Sequence, residues 1–318
     1  MKDIIPTVIG GYPRPDWFKA HLKSCEGSQK AYSGGMDAEY QRAVKEVVTA
    51  QKDAGIMLCA DGQLLWQDML CYLCAKLSGF EMGGLIRYFD NNNYYRMPEA
   101  KARIERDGEL VVSEYKEAKK YALEIKPVLS CYSLAQLSKN SFYKDKKEFI
   151  LDLAKAMNLE ARELAAAGAK YIQVDEPALL YAGKEDIITA KEAFDVLTRG
   201  IGAKFIIATY YKGAGNVFPE LLDFPVDVIG LDYVEGYAEN LGLLEEYAPK
   251  KILQAGVVDG RTTRMEKKEF VRKKIDEISA LTGPDLFVSP NTGLEYLPYQ
   301  KAGEKISVLC GAIREDAK

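Results

Sequence analysis

The stretch YIQVDEPALL, residues 171–180, decides the fold. Tyr171, Ile172 and Val174 belong in a core, yet the run ends on two adjacent acids, Asp175 and Glu176. Pro177 then forbids a central strand to continue, because it has no N–H for a ladder. A short apolar run closed by polar residues and a helix-starting proline reads as a buried parallel strand opening into a loop.

The same design recurs along the chain. IMLCAD begins at 56, LIRYFD at 85, IKPVLSC at 125, FIIATYY at 205, DVIGLDY at 227, KILQAGVVD at 251 and LFVSPN at 286. Long amphipathic stretches separate most of them, including 147–169 and 264–283, with glycine near their ends as a stop signal. With 171–176 these make eight strands alternating with helices. That pattern predicts a closed (β/α)8 TIM barrel in one domain over residues 1–318, with TVIGGYPRP as an extended lead-in. In such a barrel the C-terminal strand ends face the pocket. The expected mouth therefore includes the groups around Asp61–Gln63, Asp90–Asn93, Asp175–Glu176, Thr209–Tyr211, Asp232, Asp259–Arg261 and Asn291–Thr292.

Composition narrows the class. A net charge of −4 without a dense basic block argues against a nucleic-acid surface, which needs concentrated cations against phosphates. No run approaches the roughly 20 apolar residues of a membrane helix. The N-terminus, broken by Pro6, Gly10 and Gly11, lacks the continuous core of a signal peptide. A cytoplasmic protein acting on small molecules is the expectation. The six cysteines show no framework spacing and read as reduced thiols, with Cys71 and Cys74 on a helix. The 20 tyrosines, among them Tyr210 and Tyr211, could line a pocket for a flat ligand. Arg14 and Lys19 could hold an anionic tail or stand as solvated charges.

Taken together, VIGGYPRP (8–15), FDNNNYYRMPE (89–99), KPVLS (126–130), QVDEPAL (173–179), TYYKG (209–213), VDVIGLDYVEG (226–236), AGVVDGRTTR (255–264) and VSPNTGLEYLP (288–298) resemble, in order, the cobalamin-independent methionine synthase family. The resemblance implies a barrel of the methionine synthase/uroporphyrinogen decarboxylase-like kind. It implies methyl transfer from a folate or corrinoid donor to a zinc-bound thiol such as homocysteine. The intact family enzyme carries two related barrels, and this chain resembles the zinc-free N-terminal one standing alone.

Residue by residue, the resemblance departs from the family's metal site. Ala208–Tyr211 stand where a His and a Cys would lie, Asp232 where a Glu would, and Thr292 where the last Cys would. Zinc is therefore not expected, since its protein sites are dominated by thiolate and imidazole. The only histidine, His21, falls in a helix-like segment and reads as a surface residue. The resemblance assigns the amino-acid pocket to Asp175, Ile9, Gly10 and Gly11, with Gln63 replacing a second acid and Glu176, Thr292 and Tyr211 beside them. It assigns the reacting side to Asp232, Tyr210, Asp259 and Arg261, the last standing where the family has an acidic histidine. Three readings follow: a methyltransferase without zinc, a binding barrel partnering a separate zinc-bearing core methionine synthase, or a related barrel with a different zinc-independent reaction.

Overall fold

The computed structural model describes residues 3–25, 37–89, 93–282 and 285–314. Ten strands follow in order: β1 (Asp3–Pro6), β2 (Ser78–Arg87), β3 (Tyr94–Glu105), β4 (Val128–Leu129), β5 (Lys139–Asn140), β6 (Tyr171–Asp175), β7 (Lys204–Ala208), β8 (Val228–Asp232), β9 (Ile252–Val258) and β10 (Asp285–Pro290). Seven form one sheet in the order β1-β10-β9-β8-β7-β6-β4, and every neighbouring pair is parallel. The protein thus has an α/β fold on a parallel sheet, as the alternating pattern implies. Two isolated parallel bridges, Thr7 with Leu58 and Cys59 with Ile125, tie the stretch at 58–59 to both edges of that sheet.

Two of the expected strands are corrected. The segment 85–89 is not a strand of the main sheet: it continues β2 and leads into the antiparallel pairing with β3, in a separate sheet ordered β2-β3-β5. Asp90–Asn92 lie outside the described residues. Ahead of the TVIGGYPRP stretch stands a strand that sequence reading passed over, β1, which pairs in register with β10, Asp3 opposite Asp285 through Pro6 opposite Val288. The run at 56 contributes only the two bridges.

The helices form where capping and periodicity coincide. Asp37 starts Ala38–Ala54 by accepting the Tyr40 N–H, Val44, Val47, Val48 and Gln51 turn one face inward, and Gly55 ends it at φ 109°. The long stretch at 147–169 becomes Lys146–Ala166 with Asp145 as its cap, and 264–283 becomes Lys268–Leu281. Cys71 and Cys74 lie buried on Met69–Ala75, as expected of a helix. No helix among the described residues is long and apolar enough to cross a membrane.

Strand periodicity positions the site. Leu58, Ile206, Val228 and Phe287, with Ile5, Tyr171 and Ile252 packed against them, form one apolar cluster contributed by successive members of the parallel sheet. Side chains two residues along a strand share a face. Stepping twice from that cluster leads through Gln173 to Asp175, through Ala208 to Tyr210, through Gly230 to Asp232 and through Ser289 to Asn291. The C-terminal end of this face is therefore polar although its base is apolar.

Candidate active site

The two acids of the opening stretch part company. Asp175 is the last residue of β6 and only 3% exposed; its Oδ1 accepts from Gln173 Nε2 at 2.6 Å and its Oδ2 from Tyr210 Oη at 3.2 Å. Glu176 turns the other way. Its carboxylate accepts the backbone N–H groups of Cys131, Tyr132 and Ser133 at 2.8, 2.8 and 2.6 Å, capping the helix Tyr132–Gln136. Pro177 then begins a 3-10 turn over Pro177–Tyr181.

Asp175 faces a cavity of about 150 Å³. Ile9, Gly11 and Gln63 form one wall, Trp66–Met69 a second, Tyr88, Tyr94 and Tyr95 from around the β2–β3 hairpin a third, and Tyr210 and Tyr211 a fourth, with Gly293, Glu295 and Tyr296 closing it. The run at 85, which sequence periodicity placed in the barrel, belongs instead to a hairpin that lines this cavity. Its aromatic rings interlock: Tyr88 meets Tyr95 and Tyr211 edge-on at 5.9 Å each, and Tyr210 meets Tyr211 edge-on at 4.8 Å. Two of the non-glycine residues with positive φ, Gln63 at 53° and Tyr211 at 84°, line the cavity, where strain of this kind tends to gather.

Electrostatics follow from burial. Removal from water pushes the Asp175 carboxyl up to about 7, against the pull of Gln173 and of buried Lys126. The phenols of Tyr88, Tyr210 and Tyr211 are pushed well above their ordinary range by burial and by neighbouring acids and phenols, so they stay protonated and act as donors. Glu295 is the acid that sequence reading passed over. The residue is exposed, yet its carboxylate lies against Gly11 and Gly293, and desolvation of that group raises its pKa while Arg14 opposes the rise. Arg14 also lines the cavity, with its guanidinium donating to the carbonyls of Leu64, at 2.6 Å, and Trp66. Lys19 lines the outer part and pairs with Asp16 at 2.9 Å.

Of the residues singled out in the sequence, Ile9, Gly11, Gln63, Asp175, Tyr210 and Tyr211 come together around the cavity. Gly10 packs beside Gln63 and Val128, where an added methyl would meet Gln63 Nε2 at 2.9 Å. The others serve the loops behind. Asp232 accepts from the N–H groups of Tyr211, Val234 and Glu235 and from Asn291 Nδ2, and so holds the strained Tyr211 backbone. Asp259 accepts from the Arg261 N–H and the Thr262 hydroxyl, closing its own turn. Arg261 pairs with Glu235 at 3.0 Å and lies over the Tyr211 ring at 5.4 Å. The Thr292 hydroxyl donates to the Gly293 carbonyl at 3.1 Å.

These donors do not fit zinc. Asp232 is engaged by backbone amides and an asparagine, Thr292 offers a hydroxyl, and no thiol or imidazole lines the cavity among the described residues. Five of the six cysteines are buried elsewhere. The one grouping of three potential ligands found among the described residues, His21, Asp37 and Glu39, lies at the protein surface, where His21 Nε2 stands 3.0 Å from Asp37 Oδ2.

Comparison with known proteins matches this architecture. The family described as cobalamin-independent synthase, N-terminal domain, matches residues 76–283. Methionine synthase of Saccharolobus solfataricus is 32% identical over 326 residues, covering 98% of this chain and 95% of that protein. Methionine synthase of Sulfurisphaera tokodaii is 31% identical over 308 residues, with 95% and 90% covered. Among solved structures, a B12-independent methionine synthase from Shewanella sp. W3-18-1, in complex with selenomethionine, superposes with a TM-score of 0.85 at 21% identity, covering 99% of this chain and 98% of that one. A methyltransferase from Methanosarcina mazei has the same fold at a TM-score of 0.69 and 11% identity, with 100% and 95% covered. The chain belongs to the cobalamin-independent methionine synthase family.

Proposed function

We propose that the chain is a single (β/α)8 barrel, closed by the stretch at 58–59, that binds a zwitterionic sulfur amino acid of the homocysteine–methionine class in this cavity. It serves methyl transfer from a folate or corrinoid donor to the thiol. The observation that carries the reading is one cavity lined by two acids, the buried Asp175 and the more exposed Glu295, beside an aromatic wall. Opposed acids suit an ammonium, and the wall of Tyr88, Tyr210 and Tyr211 suits a methylene chain and sulfur. The Shewanella relative in complex with selenomethionine supports the same ligand class.

In the transfer, sulfur forms the bond to the methyl carbon as the donor's bond to that carbon breaks. The electron pair stays on the donor, and the thiol proton ends on the departing folate nitrogen or, with a corrinoid donor, in solvent. A free thiol has a pKa near 8.5, and neighbouring carboxylates raise it further. The protonated phenols do not relieve this. Arg14 and Lys19 are the cations lining the cavity, and Arg14 alone is placed deep enough to favour a thiolate. The six cysteines without a disulfide suit a reducing, cytoplasmic setting.

That poor thiolate activation favours a second reading, in which the barrel binds substrate for a separate zinc-bearing core. The exposed apolar residues beside the mouth, Leu85 (63%), Tyr94 (61%) and Tyr296 (55%), are where such a partner would sit. Methyl transfer to homocysteine, assayed with this chain alone and mixed with a zinc-bearing barrel, separates the two. Turnover by the chain alone supports the first reading, and turnover above that of the core only in the mixture supports the second. No effect of either kind rejects a role in the reaction.

A further inference from the structure

Behind Asp175 lies a lysine with no exposed surface. Lys126, just before β4, sends Nζ to Gln173 Oε1 and, at 3.4 Å, to Gln254 Oε1. The Gln173 amide is then fully used: Nε2 donates to Asp175 Oδ1 at 2.6 Å and to the Ile9 carbonyl at 2.7 Å. The opposite amide orientation would set Oε1 against two acceptors and Nε2 against an ammonium. Lys126 therefore decides which way Gln173 faces. Gln254 obeys the same demand, turning its oxygen to Lys126 while its buried Nε2 has no hydrogen-bond partner among the described residues.

We infer that Lys126 is a positioning residue: acting through Gln173, it fixes Asp175 and the Ile9 carbonyl as paired acceptors for the ammonium of the ligand. The inference rests on the amino-acid reading of the cavity proposed above. A lysine is rarely buried without a partner, and its placement in the barrel interior is unnecessary for packing, where methionine would fill the same space. The ionisable groups facing Lys126 are Asp175 on β6 and the Cys59 thiol on the adjoining stretch. Those facing Asp175 are Lys126, Glu176 and the Tyr210 phenol, with Tyr88 and Tyr211 across the cavity. Burial drives the lysine down to about 7 and the carboxyl up to about 7, so each group governs the charge of the other near neutrality.

The test compares wild type, Lys126→Met and Gln173→Met, which cut one link from either end. Methionine binding is measured by calorimetry across pH 6–9, and the Asp175 carboxyl is followed by carbon-13 NMR in the unliganded protein. Loss of a charge-assisted chain predicts roughly tenfold or weaker binding in both variants. Their affinity profiles and the Asp175 titration midpoint move to higher pH, a change that loss of stability alone does not produce. Wild-type affinity and an unmoved midpoint in whichever variant folds overturn the inference. Should wild type bind no methionine, the amino-acid reading fails, and the ligand-free Asp175 midpoint still decides whether Lys126 governs that carboxylate.

Discussion

Replacing Gly11 with alanine isolates the role of Glu295. A methyl at position 11 would fall 2.3 Å from Glu295 Oε2, 2.7 Å from its Cδ and 3.2 Å from Gln63 Oε1. Gly11 is not among the glycines with positive φ, so alanine suits the backbone and the clash alone acts. Overpacking costs about 1–3 kcal/mol, and because the displaced atoms end a flexible side chain, about 1 kcal/mol is expected in urea denaturation. Ligand binding suffers more. Swinging the Glu295 carboxylate away forfeits a charge-assisted hydrogen bond of about 1.5–3 kcal/mol, or roughly tenfold to a hundredfold in methionine affinity by calorimetry. The decisive control is a cycle with Glu295→Ala. Once the carboxylate is gone, Gly11→Ala should add little, and the coupling should recover most of its effect. Wild-type affinity in Gly11→Ala, or an equal loss with and without Glu295, refutes the assignment.

Asp175→Asn should weaken methionine binding at least tenfold by calorimetry. Because burial raises the Asp175 pKa to about 7 from the ordinary carboxylate value, the folded state holds its proton longer than the unfolded chain. This group's contribution to stability therefore falls as pH rises from about 4 to about 7, and denaturation midpoints across that window should lose this slope in the asparagine variant. Methionine affinity in wild type should rise through the same pH range as the carboxylate ionises. Glu176→Gln shows the opposite profile: a donor is turned against buried amides, so stability drops by about 2–4 kcal/mol in urea while methionine affinity of the folded protein stays within threefold. Thiol titration of native protein should count one fast-reacting cysteine, half-buried Cys25, with the buried five reacting only on unfolding.

The parallel sheet was legible because β6 to β10 are continuous apolar runs ended by polar residues, a pattern that only a doubly covered strand produces. The errors lie where local pattern and partner disagree. Residues 85–89 share length and composition with the strands of the parallel sheet, and their antiparallel partner β3 is revealed by pairing, not by periodicity. β1 is only four residues long and pairs with β10 at the other end of the chain, a contact beyond any local window. Asp175 could be found as the acid closing a buried run, whereas its neighbour Glu176 carried the same signal for a capping task. Lys126 and Glu295 were hidden by residue type. Lysine in IKPVLS reads as a surface charge that only the fold buries, and glutamate in TGLEY stays exposed but gains its place at the cavity from the contact of its carboxylate with Gly11 and Gly293, which no local pattern shows.

The most direct test is calorimetry of the purified, metal-free protein with methionine and with homocysteine, with and without added zinc. The account predicts one amino acid bound per chain, with an affinity that zinc does not change. Near-stoichiometric zinc in the protein as isolated, with homocysteine binding that depends on it, contradicts the account and makes this a metal-activated thiol site.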